Sequence, residues 1–386
     1  MLGKVIALSR AVEAVLREEN SRGVFSAAVC RIAIDGETIV SVALGELAHV
    51  DDEGQPISPN DCVAVEEDTL FDLASVTKVF SAHTLMMLVD RGELHLDAPI
   101  AFVLPEYANG AKSSVTLRHL LTHTSGLPAT WDGWCAPLSE ILQTRSVGSL
   151  PLRESPIADR HALVADLLAT DLNTAPGTRW EYSCTGFNTA MILAERATSR
   201  SWPTLVAETT LVPLGLRDTS FSPDVARTAA TEYQPELGRG MVRGIVHDES
   251  SWSLGGACAN AGLFGTSADL LALGEAIRIG ATPVTESRMW ENQLPDVLHR
   301  DYALDGDNRF GASLGLRIGE LVWMGRFGHH SRGHTGFTGT SLQIDRGCAL
   351  TIALMTNRVH PTRQGDGISG LRAAIADAAF DRAQGR

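Results

Sequence analysis

The stretch Asp72–Leu94, DLASVTKVFSAHTLMMLVDRGEL, holds Lys78, one of three lysines (positions 4, 78 and 112) in a chain that otherwise uses arginine, 29 times, for positive charge. Its apolar residues and the closing Gly92 predict a helix beginning near Ser75. In such a helix Ser75 and Lys78, three positions apart, lie on one face. A serine hydroxyl attacks a carbonyl only when a neighbouring base takes its proton, and an amine serves once its surroundings favour the neutral form. A guanidinium stays protonated and cannot. The helix N-terminus adds a partial positive potential that favours a developing anion at Ser75. Position 78 is therefore expected to need a cation that can also become neutral. Two fixed positions in four also arise by chance, so the assignment requires a second proton carrier and an oxyanion site elsewhere.

Two segments supply candidates. Tyr182, one of four tyrosines, stands in APGTRWEYSCTGFNTAMILAE between a Pro-Gly turn and a new helix, where a side chain projects toward a cleft. A ring packed in the core with its hydroxyl on the backbone is the alternative. In RGHTGFTGTSLQID, His334-Thr335-Gly336 opens a strand, and small residues there let a backbone N–H approach a ligand. A surface histidine with satisfied hydrogen bonds is the alternative for His334.

Composition narrows the function class. With 386 residues, 44% apolar and 20% charged, the chain can build a large core or two packed lobes. A net charge of −14 without a basic cluster argues against nucleic-acid and membrane-surface partners, leaving small-molecule chemistry. The first segment has apolar residues Val5, Leu8, Val12, Val15 and Leu16 interrupted by Arg10, Glu13 and Arg17, which reads as a surface helix of a cytoplasmic protein. The six cysteines form no C-x-x-C pair, so free thiols are expected, and neither metal nor cofactor is.

The order of elements gives the fold class. FSAAVCRIAIDGETIVSVALGEL reads as a β-hairpin, the middle of the chain as helices broken by Gly, Pro and Trp-bearing loops, and ASLGLRIGEL, TSLQID and ALTIALMTN as strands before a closing helix. An α+β protein follows: an antiparallel sheet flanked by N- and C-terminal helices. Residues 1–96 and 309–386 form its α/β lobe, 97–308 a mostly helical second lobe, and the site lies in the cleft between them.

Ser75-x-x-Lys78, Tyr182 and His334-Thr335-Gly336, in this order, resemble the serine β-lactamase and penicillin-binding-protein superfamily, specifically its class C-like branch with family VIII carboxylesterases and related acyltransferases. LRHLLTHTSGLP, PGTRWEYS and VHDESSWSLGGACANAGLFGTSADL add to the resemblance, which runs from about Phe71 to Pro361. It implies Ser75 as nucleophile, Lys78 as base, Tyr182 as proton relay and the backbone N–H groups of Ser75 and Phe337 as oxyanion hole. His334, Thr335, Gly336, Cys184 and Trp252 would contact substrate. Two departures stand out. The asparagine of the family's Y-x-N motif is Cys184, a weak donor and poor acceptor, and the lysine of its K-T-G motif is His334, mostly neutral at pH 7. The permanent cation that grips a substrate carboxylate is missing, with Arg332 or Arg358 as candidate replacements, so a less anionic ester is expected.

The expected activity is transfer of an acyl group from an ester to water, an amine or an alcohol. A β-lactamase or D,D-peptidase and a non-catalytic binding protein on the same scaffold are the alternatives, and oligomeric state is left open. Activity should fall with pH as the Lys78–Tyr182 pair takes up a proton, with a second inflection from His334. Other signals carry competing readings. GASLG around Ser313 matches G-x-S-x-G but lacks a strand-turn-helix context. His119 and His123 could share a metal or be buried and hydrogen-bonded, the latter being the better reading. Trp131, Trp134 and Trp252 could wall a pocket or close the helical lobe, and His247 and Asp248 could steady a loop at the cleft.

Overall fold

A computed structural model describes residues 2–146, 149–298, 310–319, 322–326 and 328–385. Seven strands form one antiparallel sheet: β1 (Ala27–Ile34), β2 (Glu37–Gly45), β3 (Phe310–Ala312), β4 (Arg317–Gly319), β5 (Arg332–Thr335), β6 (Ser341–Asp345) and β7 (Leu350–Thr356). Their order is β2-β1-β7-β6-β5-β4-β3, so strands from the two ends of the sequence meet where β1 pairs with β7, Ala28 opposite Thr356 and Ile34 opposite Leu350. The mixed helix and antiparallel-sheet class is the one the sequence predicts.

Alternation along the central strands divides the core. Ala28, Cys30, Ile32, Ile352 and Leu354 face the terminal helices α1 (Leu2–Ser21) and α5 (Ile368–Ala383). Ala27, Val29, Ala353, Met355 and Leu342 face the interior, where helix α4 (Ser267–Arg278) lies on the sheet. Beyond it runs α2 (Thr77–Asp90), buried on nearly every side and packed by α3 (Cys184–Thr198) and the helical turns at 202–214. A helix apolar all round belongs in a core. Several of its polar groups find partners there: Ser81 Oγ donates to the Ala259 carbonyl at 2.8 Å, and Thr84 Oγ1 pairs with Thr210 Oγ1 at 2.7 Å.

Packing does not follow the expected lobe division strictly. α4, from the stretch assigned to the helical lobe, covers the sheet, and α2, from the α/β stretch, sits among helices. Sequence order cannot reveal this, because the partners of both helices are distant in the chain. The expected 308/309 boundary lies outside the described residues. All six cysteines are free thiols. Among the described residues, no helix is long and apolar enough to cross a membrane.

The α4–sheet contact is close because Gly274 has no side chain: a Cβ there would lie 2.6 Å from Thr351 Cγ2 and 2.8 Å from Leu342 Cδ1. Gly274→Val should lower the unfolding free energy by about 1–3 kcal/mol through overpacking, measured by urea denaturation.

Candidate active site

The nucleophile segment is not the uninterrupted helix that the apolar pattern suggests. A 3₁₀ turn, Ala74–Val76, precedes α2, and Ala74 adopts φ +44° in the left-handed region that non-glycine residues rarely enter. The strain is held by local bonds. Asp72 Oδ1 accepts the Ala74 N–H at 2.8 Å and Asp72 Oδ2 accepts the His247 N–H at 2.6 Å, while Phe71–Asp72 pairs with Phe264–Gly265. His247 thus steadies this region, its ring stacking on Phe337 at 5.7 Å, while Asp248 holds its own loop by accepting the Ser251 N–H at 2.8 Å.

The end of β5 is pinned to the same turn. Thr338 Oγ1 donates to the Asp72 carbonyl at 2.8 Å and Thr340 Oγ1 to the Leu73 carbonyl at 3.0 Å. Gly336 permits the approach, since a Cβ on it would meet Thr340 Oγ1 at 2.1 Å and the Leu73 carbonyl oxygen at 2.6 Å. The Phe337 N–H, left without a hydrogen-bond partner, stands in the strand-end segment that lines the cavity with Ser75.

Tyr182 is positioned by a second zipper, between LTHTSGLPA and the loop before α3. The His123 carbonyl accepts the Glu181 N–H at 2.9 Å, His123 Nδ1 accepts the Ser183 N–H at 3.1 Å, and the Ala129 carbonyl accepts the Cys184 N–H at 2.8 Å. The His123 ring lies 4.6 Å from that of Tyr182. Burial, reinforced by the positive charges of Lys78 and Arg317, pushes the His123 pKa down to about 3, so it packs there as a neutral ring. His119 instead closes a capping box with Thr116. The two histidines have separate structural duties.

These segments converge on Lys78. Its fully buried amine donates to Ser75 Oγ at 3.0 Å, the Asn260 carbonyl at 2.9 Å and Cys184 Sγ at 3.4 Å. The Tyr182 hydroxyl interacts with both Lys78 and Ser75. Three acceptors for three N–H groups suit an ammonium. Burial opposes that charge, but negative charge on neighbouring Cys184 and Tyr182 outweighs it and raises the Lys78 pKa above its ordinary value. Burial raises that of Tyr182 as well, against the pull of Lys78. For Lys78 the balance runs toward the ammonium, where the sequence reading favours an uncharged amine.

Ser75, Tyr182, His334, Thr335, Gly336 and Phe337 all line one cavity of about 320 Å³. Other expected contacts lie elsewhere. Cys184 reaches Lys78 and does not line the cavity. Trp252 is buried, its indole N–H donating to the Arg153 carbonyl at 3.3 Å and its ring 4.6 Å from the Arg239 guanidinium; it borders a separate cavity of about 420 Å³. The tryptophan that lines the Ser75 cavity is Trp180, which the sequence reading passed over. Trp131 donates to Asp166 at 2.6 Å and helps close the helical region. Ser313 is excluded as a nucleophile: it is buried, its hydroxyl donates to the Met289 carbonyl at 2.7 Å, and its neighbour Gly315 packs against α2.

The chain matches the Beta-lactamase family over residues 12–377. It belongs to that family. Esterase EstB of Burkholderia gladioli is 30% identical over 420 aligned residues, covering 97% of this chain and 95% of that protein. Among solved structures, EstCE1, a hydrolase with promiscuous acyltransferase activity, superposes with a TM-score of 0.72 at 20% identity, covering 98% of this chain and 100% of that one. Unliganded simvastatin synthase LovD of Aspergillus terreus gives 0.68 at 20% identity, covering 98% and 99%. These likenesses establish the beta-lactamase/transpeptidase fold.

Three outcomes test the site. With Lys78 resting as an ammonium, kcat/KM for an ester should keep rising with pH from 7 to 10 as the amine loses its proton, whereas a flat profile contradicts the assignment. His334 should add no inflection near neutral pH, where the sequence reading expects one, because burial, Lys78 and Arg317 hold its pKa well below the ordinary value. Gly336→Ala should displace the Phe337 N–H and lower kcat about 10²-fold or more, read with the same ester.

Proposed function

We propose that this chain is a serine esterase and acyltransferase acting on carboxylic esters through an acyl-enzyme on Ser75. The contact of Lys78 Nζ with Ser75 Oγ at 3.0 Å, beside Tyr182 at a cavity wall, carries the reading. In the active form Lys78 has lost its proton. Its amine takes the Ser75 proton as Oγ bonds to the acyl carbon, and the carbonyl oxygen becomes an anion facing the backbone N–H groups of Ser75 and Phe337. Tyr182 passes a proton to the departing alkoxide as the ester C–O bond breaks. In the second half, water, an amine or an alcohol attacks the acyl carbon, gives its proton to the Lys78–Tyr182 pair, and Ser75 Oγ recovers one.

Around the lysine, the Cys184 thiol stands where the family's asparagine would, and the Asn260 carbonyl supplies a further acceptor. The ester specificity agrees with the kinship to esterase EstB, and the acyl-transfer branch with the likeness to EstCE1 and LovD. The reaction is proposed for the cytoplasm, on the charges that interrupt the first helix.

Turnover of p-nitrophenyl butyrate, with and without amine and alcohol acceptors, tests the proposal. The wild type should release nitrophenol, and an added acceptor should appear as amide or ester if transfer competes with hydrolysis. Ser75→Ala should lose activity about 10³-fold or more, and Lys78→Arg about 10²-fold or more. Turnover that survives Ser75→Ala would contradict the proposal.

A further inference from the structure

The groups around the Lys78 amine differ in the charge they can return to it. Ser75 and Tyr182 offer hydroxyls, Cys184 a thiol and Asn260 a main-chain carbonyl. His123 and His334 lie in its field as neutral rings, and Arg317 adds a second cation to the field on both. Asp248 is the one carboxylate in this set, and its charge favours the ammonium. A carboxylate is anionic throughout the working pH range, whereas a thiol or a phenol must first lose a proton.

Asp248 reaches the lysine through Asn260. Asp248 Oδ1 accepts the Asn260 side-chain N–H at 3.2 Å, and the Asn260 main-chain carbonyl accepts from Lys78 Nζ at 2.9 Å. Asn260 is fixed from two further sides: its Oδ1 accepts the Ser251 hydroxyl at 2.7 Å, and its main-chain N–H donates to Asn188 Oδ1, on α3, at 3.2 Å. Both asparagines are buried. The carbonyl that holds the lysine is thereby anchored, with a carboxylate one residue behind it. Asp248 Oδ1 also accepts the Ser250 hydroxyl and the Ser251 N–H at 2.8 Å each, and such bonds keep the carboxylate ionised against the cost of burial. Asp72, Arg239 and Cys258 are the other titratable groups near it. Arg239 does not claim its charge, since that guanidinium donates to Gln234 Oε1 and to the Val246 and His247 carbonyls.

We propose that Asp248 is a positioning residue that supplies the counter-charge of Lys78 through Asn260 and so sets the pH range in which Ser75 is activated. The inference rests on the reading of Lys78 as the base for Ser75. A fixed anion near a base acts twice. It favours the protonated amine at rest, so fewer molecules hold the active form at pH 7. It also favours the ammonium that forms when the amine takes the Ser75 proton, so each active molecule carries a stronger base. Asp248 has a second duty, capping the short helix Glu249–Ser253 by accepting the Ser251 N–H. A cap needs an acceptor and not a charge, and asparagine or serine caps as well. Substitution can therefore separate the two.

Asp248→Asn keeps the cap and removes the charge. Its profile of kcat/KM against pH for p-nitrophenyl butyrate should be displaced toward lower pH by about one unit, leaving it about threefold or more faster than the wild type at pH 7. Asp248→Ser, a second capping variant, should move the same way, and Asp248→Glu, which keeps the charge, should stay with the wild type. Glu249→Gln removes the adjacent carboxylate, which accepts from Arg363, and should leave the profile in place. The same displacement should appear in the rate at which a fluorophosphonate labels Ser75, a readout that needs no ester turnover. A purely structural role would lower activity at every pH without moving the profile. Asp248→Asn and Asp248→Ser profiles undisplaced from the wild type, or an equal displacement in Glu249→Gln, overturn the inference alone. Displaced labelling without ester turnover upholds the inference and overturns the proposed function, and absence of any reaction at Ser75 overturns both.

Discussion

A single buried ammonium organises the centre of this protein. Lys78 is enclosed at the first turn of the central helix, where its amine has acceptors on Ser75, Asn260 and Cys184 and interacts with the Tyr182 hydroxyl. The same charge sets the state of its neighbours. It helps to keep His123 and His334 neutral, so that two histidines within its field act as packing and acceptor groups without titrating near neutral pH. An arginine could supply the cation but could never release a proton to let the serine react. That distinction explains why a chain so sparing of lysine keeps one here.

The surrounding fold brings distant pieces to this point and holds them under mild strain. The 72–75 turn with its left-handed Ala74 is tied to the strand end at 336–340 by two threonine hydroxyls and a glycine that allows backbone contact. On the other side, the His123 loop carries the backbone around Tyr182. Both ties join segments far apart in sequence. The sheet makes them possible, because β1 from one end of the chain and β7 from the other are hydrogen-bonded neighbours. Rigid placement of this sort is what proton transfer over short distances requires.

Much of this was legible in the residues themselves. The serine–lysine spacing, the tyrosine at a helix entrance and the small residues after His334 each follow from local chemistry, and strand alternation at both ends of the chain gave the sheet. What stayed hidden depends on long-range contact. The apolar run from Val76 continues too smoothly to betray the 3₁₀ turn beneath Ser75. Asn260 acts through its main-chain carbonyl, which any residue could provide, so its side chain carries no signal. Arg317 and Arg372 lie among 29 arginines, and only the adjacency of β4 to β5 and the packing of α5 bring them to the cavity. Trp252 misled for the converse reason, since an aromatic ring in a loop reads alike whether it borders this cavity or another.

Covalent capture tests the central claim most directly. After reaction with a fluorophosphonate, intact-mass analysis and peptide mapping should find one adduct, on Ser75. It should form faster as the pH is raised from 7 to 10, and Lys78→Arg should slow it by about 10²-fold or more. An adduct on any other residue, or labelling of Ser75 at an undiminished rate in Lys78→Arg, would contradict the account of a serine activated by its buried lysine.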